Sequence, residues 1–400
     1  MLKQVKSSSF QPLKAPGTAS AGRPLLSPQG PFAVLGWSAD EFAASISPSD
    51  RSLFGPRGVC LHPDGSLWVS DTGHHRVLGW RSVPQSDNVP ADVVIGQKDF
   101  AHEGRNAKGQ VGPATLNVPT GICAWGDGLA VADAWNHRVL LWRKTPRASN
   151  EPAHIILGQS DDTGALANRG ADKPTSATLN WPYGVDEIDG SLFVTDTGNR
   201  RVLMWRDPQT TGQRADLVLG QSGFETRDEN AGFDVSASGM RWPHGVMKWD
   251  GKLAVTDAGN NRVMIWQAVP KSNGVASDAV LGQRHFSACD HNGASYYPSS
   301  STFNMPYAIA VHSSARHGER LIVADTANSR LVGFAQNASE MGSSAAFLTG
   351  QPDFASKGDN RWGFAERDTL CWPYGLSVSG DVVAIADSGN NRVLLWEVAT

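Results

Sequence analysis

Short apolar runs, each about five residues long and cut by Gly, Asp and Asn, fill the chain from residue 32 onward. Residues 183–188 make one such run, closed by Asp189-Gly190. An Asp-Gly pair is a strong hairpin signal, because its second position favours positive φ. Residues 191–195 make a second run, and Asp196-Thr197-Gly198-Asn199 turns the chain again. Residues 201–205 and 215–221 supply a third and a fourth. The runs are rich in β-branched and aromatic residues and lack a helical period. The pattern predicts four short antiparallel strands per unit and an all-β fold.

The unit recurs. A Pro-led opening, an apolar run, an Asp and an Arg five residues later return six times, as Asp71/Arg76, Asp133/Arg138, Asp196/Arg201, Asp257/Arg262, Asp325/Arg330 and Asp387/Arg392. Four short strands cannot bury both faces of their sheet alone. Packing successive sheets face to face around an axis does bury them, which predicts a six-bladed β-propeller.

A fourth run ending in Gly-Gln closes five units, at Gln97, Gln159, Gln221, Gln283 and Gln351. The sixth unit stops at residues 393–396 without one, while residues 32–37 match the missing run. An N-terminal strand is therefore expected to complete the C-terminal blade and close the ring. Residues 1–30, rich in Ser, Pro, Gly and Lys, read as a flexible arm, and 31–400 as a single propeller domain. Removing residues 1–40 should then cost stability, and removing 1–25 should not.

Net charge is -4 with a pI near 6.3, which argues against nucleic-acid binding through bulk charge. Cys60, Cys123, Cys289 and Cys371 fit no zinc or redox spacing, and Cys60 and Cys123 share one repeat position as small core residues. No stretch reads as a secretory signal or a membrane span. The expectation is a soluble, cytoplasmic, monomeric protein.

Strand parity places the Asp-led turns on the same face as the loops joining one unit to the next. Those joining loops, near residues 98–118, 160–181, 222–242, 284–305 and 352–372, are long enough to form a recognition surface. Leu53, Leu116, Leu179, Phe303 and Leu370, each three residues before a Pro, point to bracing as well. The residues after each Pro are Arg57, Thr120, Tyr183, His244, Tyr307 and Tyr374, expected at the channel mouth. Trp181, Trp242 and Trp372 precede the same Pro in three units. Together these nine are the candidate ligand- or partner-binding residues. Tyr and Trp anchor binding sites well, yet they also cap cores. The Asp/Arg pairs, present in every unit, read as blade construction rather than catalysis.

Asp196-Thr-Gly-Asn-Arg-Arg-Val, Asp257-Ala-Gly-Asn-Asn-Arg-Val and Trp135-Asn136-His137-Arg138-Val139-Leu140 resemble the NHL repeat. Gly350-Gln351-Pro352-Asp353-Phe354 resembles its bacterial form with Leu-Gly-Gln-Pro-Asp-Phe units. The resemblance implies a propeller but not one function, since such propellers include protein- or RNA-binding platforms, a metal-dependent amidating lyase and, among relatives, calcium lactonases. A metal enzyme needs several ligands converging on the channel. Only His244 falls at the mouth, and Asp186 and Glu187 have no acidic counterparts on the other inner strands. RNA binding would draw on Arg57, Arg105, Arg169, Arg241 and Arg361 beside the aromatics. The reading favoured is a non-catalytic scaffold, with no cofactor or metal, that holds a protein or peptide on its loop-bearing face. A metal-dependent lyase or hydrolase using Ca or Zn, and an RNA-binding propeller, are the alternatives.

Overall fold

The computed structural model describes residues 20–36 and 47–399. Two strands precede the blades, β1 (Arg23–Pro24) and β2 (Ala33–Leu35). Blade 1 holds β3 (Gly58–Leu61), β4 (Leu67–Asp71), β5 (Arg76–Trp80) and β6 (Val93–Ile95). Blade 2 holds β7 (Pro119–Trp125), β8 (Gly128–Asp133), β9 (Arg138–Trp142) and β10 (Ile155–Leu157). Blade 3 holds β11 (Pro182–Ile188), β12 (Ser191–Asp196), β13 (Arg201–Trp205) and β14 (Leu217–Leu219). Blade 4 holds β15 (Pro243–Trp249), β16 (Lys252–Asp257), β17 (Arg262–Trp266) and β18 (Ala279–Leu281). Blade 5 holds β19 (Pro306–Ser314), β20 (Gly318–Asp325), β21 (Arg330–Phe334) and β22 (Phe347–Thr349). Blade 6 holds β23 (Pro373–Ser379), β24 (Val382–Asp387) and β25 (Arg392–Glu397).

The four strands of each of blades 1–5 form an antiparallel meander, and the sixth sheet has the order β2-β25-β24-β23. Ala33 lies opposite Leu395, Val34 opposite Leu394 and Leu35 opposite Val393. The N-terminal strand thus supplies the fourth strand of blade 6, as the chain's pattern implies. Trp37, the last residue of the matching run, lies outside the described residues.

Residues 20–30 depart from the expected arm. β1 runs parallel to β22 on the outer edge of blade 5, with the Arg23 N–H on the Ala346 carbonyl and the Leu25 N–H on that of Leu348. Leu25 and Leu26 are buried among Val34, Ile322, Leu394 and Trp396. Two adjacent leucines and an open strand edge explain why this polar-looking stretch docks: burying them recovers more than their ordering costs. Residues 1–19 of the expected arm lie outside the described residues.

A tryptophan at or near the end of the third strand in five of the six blades shows what the docked segment replaces; blade 5 has Phe334 there. The Trp80, Trp142, Trp205 and Trp266 indoles donate to carbonyls of their own blade's outer loop, at Val89, Glu151, Gln213 and Val275. In blade 6 the Trp396 indole donates instead to Ser27, at 2.7 Å. The N-terminal segment is the outer loop of the last blade. Among the described residues no helix is long and apolar enough to cross a membrane.

Candidate functional site

The joining-loop face is built on the turn that follows each second strand. In blade 3, Asp196 lies opposite Arg201 in the ladder, and Thr197–Asn199 form a 3-10 turn between them. Asp196 Oδ2 accepts from Arg201 Nε at 2.8 Å and from Asn199 Nδ2 at 2.7 Å, and Oδ1 accepts the Asn180 N–H at 2.7 Å. Arg201 Nη2 reaches the Thr175 and Thr178 carbonyls of the preceding joining loop, and Nη1 donates to Phe224 in the following one. The same Asp–Arg ion pair, with both side chains buried, forms in all six blades. One buried guanidinium therefore ties two joining loops to one turn.

Two further kinds of residue, each occurring five times, complete this brace, and repeat position alone assigns a role to neither. The Gly-Gln glutamine is one: Gln159 Nε2 donates to the carbonyls of Asn136, His137 and Leu166. The glycine before it must adopt positive φ, at +94° for Gly158, with Leu179 packed where a side chain would stand. The other is a joining-loop asparagine in the left-handed region. Asn168, with φ +51°, exchanges two amide hydrogen bonds with Asn199 at 3.0 and 2.9 Å. Asn292–Asn328 and Asn360–Asn390 repeat the exchange. An Asn ten or eleven residues before Leu116, Leu179, Met240, Phe303 and Leu370 is the signal for it in the sequence. Leu53, Leu116, Leu179, Phe303 and Leu370 are all buried under these loops.

A second set of bonds runs between blades. The residue before each Arg is left-handed and reaches the backbone N–H that precedes the next Pro. His75 Nδ1 accepts from Val118 at 3.0 Å, His137 Nδ1 from Trp181 at 2.9 Å and Asn261 Oδ1 from Met305 at 2.8 Å. Asn391 Oδ1 accepts from Gly55 at 2.8 Å, carrying the series across the closure of the ring. Burial lowers the pKa of His137 and of His75, which keeps both imidazoles neutral and able to accept. In blade 3 this position is Arg200, whose guanidinium donates to Gly198 instead.

The residues after each Pro form a plug across the axis. Ring centroids lie 4.3 Å apart for Tyr183–His244, 4.1 Å for His244–Tyr307 and 4.7 Å for Tyr307–Tyr374. The Arg57 guanidinium sits over Tyr374 at 4.8 Å. Thr120 is buried and its hydroxyl is spent on the Tyr183 carbonyl at 2.8 Å. His244 Nδ1 bonds the Trp242 carbonyl at 2.8 Å, and burial lowers its pKa to about 3. Trp181 packs edge-on against Tyr183 and His244, and Trp372 stacks on Tyr374.

A cavity of about 430 Å³ occupies the axis, lined by inner strands of all six blades. It includes Arg57, Tyr183, His244, Tyr307 and Tyr374 at one end and reaches Pro63, Gly126 and Glu187 at the other. Trp181, Trp242, Trp372 and Thr120 are not in its lining. The aromatics are thus the floor of a channel that runs toward the face opposite the joining loops. The rings, with centroids four to five ångströms apart, stand at the end of the channel nearer the joining loops.

Along the wall, Cys60 and Cys123 are buried, and burial pushes the Cys60 thiol up to about 12. Burial, with a smaller push from the Glu187 charge, raises the Asp186 carboxyl to about 8. Glu187 Oε2 accepts the Gly126 N–H of the neighbouring blade at 2.7 Å. Among the described residues no three His, Cys, Asp or Glu side chains group as metal ligands. The arginines expected to serve RNA are largely committed. Arg169 braces its own loop at Gly158 and Ala177, Arg361 pairs with Asp368, and Arg241 pairs with Glu229.

The exposed side chains of the joining-loop face are others. Nine large hydrophobics are exposed among the described residues, and seven lie on this face: Phe54, Trp135, Leu166, Phe233, Tyr296, Trp362 and Phe364. Phe233, Trp362 and Phe364 are 80, 67 and 79% exposed. The Lys357 ammonium sits 3.7 Å over the Tyr296 ring, linking adjacent joining loops. Bulky apolar residues within Gly-, Asp- and Asn-rich loops were the signal that the sequence reading passed over.

The family model described as NHL repeat matches residues 55–80 and 116–140, in blades 1 and 2. No curated protein matches the chain. Among solved structures, the PQQ domain of pyranose dehydrogenase from Coprinopsis cinerea has 13% identity and a TM-score of 0.50, covering 88% of this chain and 94% of that one. A gluconolactonase from Xanthomonas campestris has 14% identity, 96% and 100% coverage and a TM-score of 0.48. A streptogramin B lyase has 11% identity, 89% and 95% coverage and a TM-score of 0.45. At such identities the likeness concerns fold alone. Two matched repeats, set in a ring of six blades built on the same Asp–Arg turn, make this chain a member of the NHL-repeat β-propellers.

Proposed function

We propose that this propeller is a non-catalytic binding scaffold whose joining-loop face holds a protein partner. The carrying observation is the ring of exposed aromatic and aliphatic side chains on that face, from Trp135 and Leu166 through Phe233 to Trp362 and Phe364. Exposed apolar side chains gathered on one rim mark interaction sites, whereas scattered ones need no explanation. The loops that carry them are fixed by buried Arg, Gln and Asn side chains, so the surface is pre-organised and little ordering entropy opposes binding. The contact residues are therefore these rim side chains rather than Tyr183, His244, Tyr307 and Tyr374 beneath them.

The test is site-specific photo-crosslinking in cells. A crosslinker at Trp362 or Phe233 should capture one discrete protein. A crosslinker at Gly380, on the opposite face, should not. A Phe233→Ser/Trp362→Ser variant with unchanged melting temperature should lose that capture. Equal capture from both faces, or capture that survives the double substitution, would overturn the reading.

A further inference from the structure

We propose that the axial channel is a separate binding site for a small organic carboxylate, anchored by Arg57 and entered from the face opposite the joining loops. The cavity, at about 430 Å³, lies within the range of small-molecule pockets. Its walls mix polar groups with apolar side chains, Val59, Ile122, Val246, Leu376 and Val378 among them. Such a wall suits the body of an organic acid.

Its floor holds polar groups that the protein leaves unanswered. Among the described residues no carboxylate pairs with Arg57, although its guanidinium is largely withdrawn from solvent among three phenols. His244 Nε2 is buried without a hydrogen-bond partner, and the buried Tyr183 hydroxyl has only the Arg57 guanidinium beside it. Buried polar groups in folded proteins are nearly always satisfied, so a floor with unmet capacity marks a place for ligand atoms. With Nδ1–H donating to the Trp242 carbonyl, His244 Nε2 calls for a ligand donor, whereas the guanidinium calls for an anion. A carboxylate there accepts from the guanidinium and from the Tyr183 hydroxyl. Charge-assisted bonds of this kind are the stronger class.

The charge inventory selects the ligand class. Arg57 is the single Lys or Arg in the lining, and His244 is neutral. Glu187 stands toward the entrance. Asp186 also lines the cavity, but burial keeps its carboxyl largely protonated at neutral pH, so one cation faces one acidic charge, which suits a monoanion and disfavours a phosphate dianion. The three phenols favour a flat or aromatic body against them.

Titration calorimetry at neutral pH with benzoate, and with benzyl alcohol as its uncharged counterpart, tests the site. Benzoate should bind with a stoichiometry of one, and benzyl alcohol at least about tenfold more weakly. Arg57→Gln should lower benzoate affinity by at least about tenfold. Val378→Trp, which narrows the entrance and leaves Arg57 in place, should also abolish binding, and it serves if the first variant does not fold. Phe233→Ser/Trp362→Ser should leave benzoate binding unchanged, so this site and the loop face fail or stand separately. No benzoate binding at millimolar concentration, equal binding of benzyl alcohol, or undiminished binding by Arg57→Gln would overturn the proposal.

Discussion

His137 Nδ1 accepts the backbone N–H of Trp181 at 2.9 Å and so ties blade 2 to blade 3. A protonated imidazole cannot accept. Burial lowers the folded pKa of His137, and likewise that of His75, below the unfolded value of about 6.5. The unfolded chain then binds more protons, so stability is full above about pH 6.5 and declines as pH falls through the folded values. Asn261 performs the same task without titrating. His75→Asn/His137→Asn should flatten the dependence of melting temperature on pH between about 5 and 7.

Asp325 and Arg330 form a fully buried pair that also fixes two joining loops. Asp325→Ala leaves the guanidinium uncompensated in the interior. The expected loss is about 3–5 kcal/mol of unfolding free energy in urea melts. A variant that lost only binding while keeping its urea midpoint would contradict this structural role.

Truncation at the N-terminus should act in two steps. A chain starting at Leu26 loses β1 and the Leu25 side chain, and its melting temperature should fall. This reverses the expectation that residues 1–25 are dispensable. A chain starting after Gly36 also loses β2 and the Trp396–Ser27 bond. It exposes the edge of β25 and should aggregate on heating, as light scattering would show.

Asp186 has a folded pKa near 8, above its unfolded value of about 3.9. The folded state holds this proton more tightly, so stability falls as pH rises from about 4, and the loss is complete above about 8. Asp186→Asn should therefore raise the melting temperature at pH 9 and change it little at pH 4.

The blades could be read from the chain because strand period, turn residues and the Asp–Arg offset are local signals repeated six times. β2 could be placed because a missing fourth strand in one unit matched an extra one elsewhere. The docking of Leu25 and Leu26 escaped notice because two leucines in a Ser- and Pro-rich stretch carry no period. Tyr183, His244, Tyr307 and Tyr374 share a layer, as their common repeat position indicates. How closely their rings pack at one end of the axis depends on ring size against channel width, which repeat position does not encode. Phe233 and Trp362 stand out only after the buried loop residues have been separated from the exposed ones.

The pairing of Val34 with Leu394 has a consequence for biosynthesis. β2 leaves the ribosome early, yet its partner is made about 360 residues later, so no partly made chain can shut the ring. Five blades can assemble in order during translation, each on a local meander, while β2 waits. The final event is one long-range docking that joins β2 to β25, the last strand. A nascent chain stalled before Arg392 would carry an unpaired β2 and an unclosed ring, and so become a client for holding chaperones.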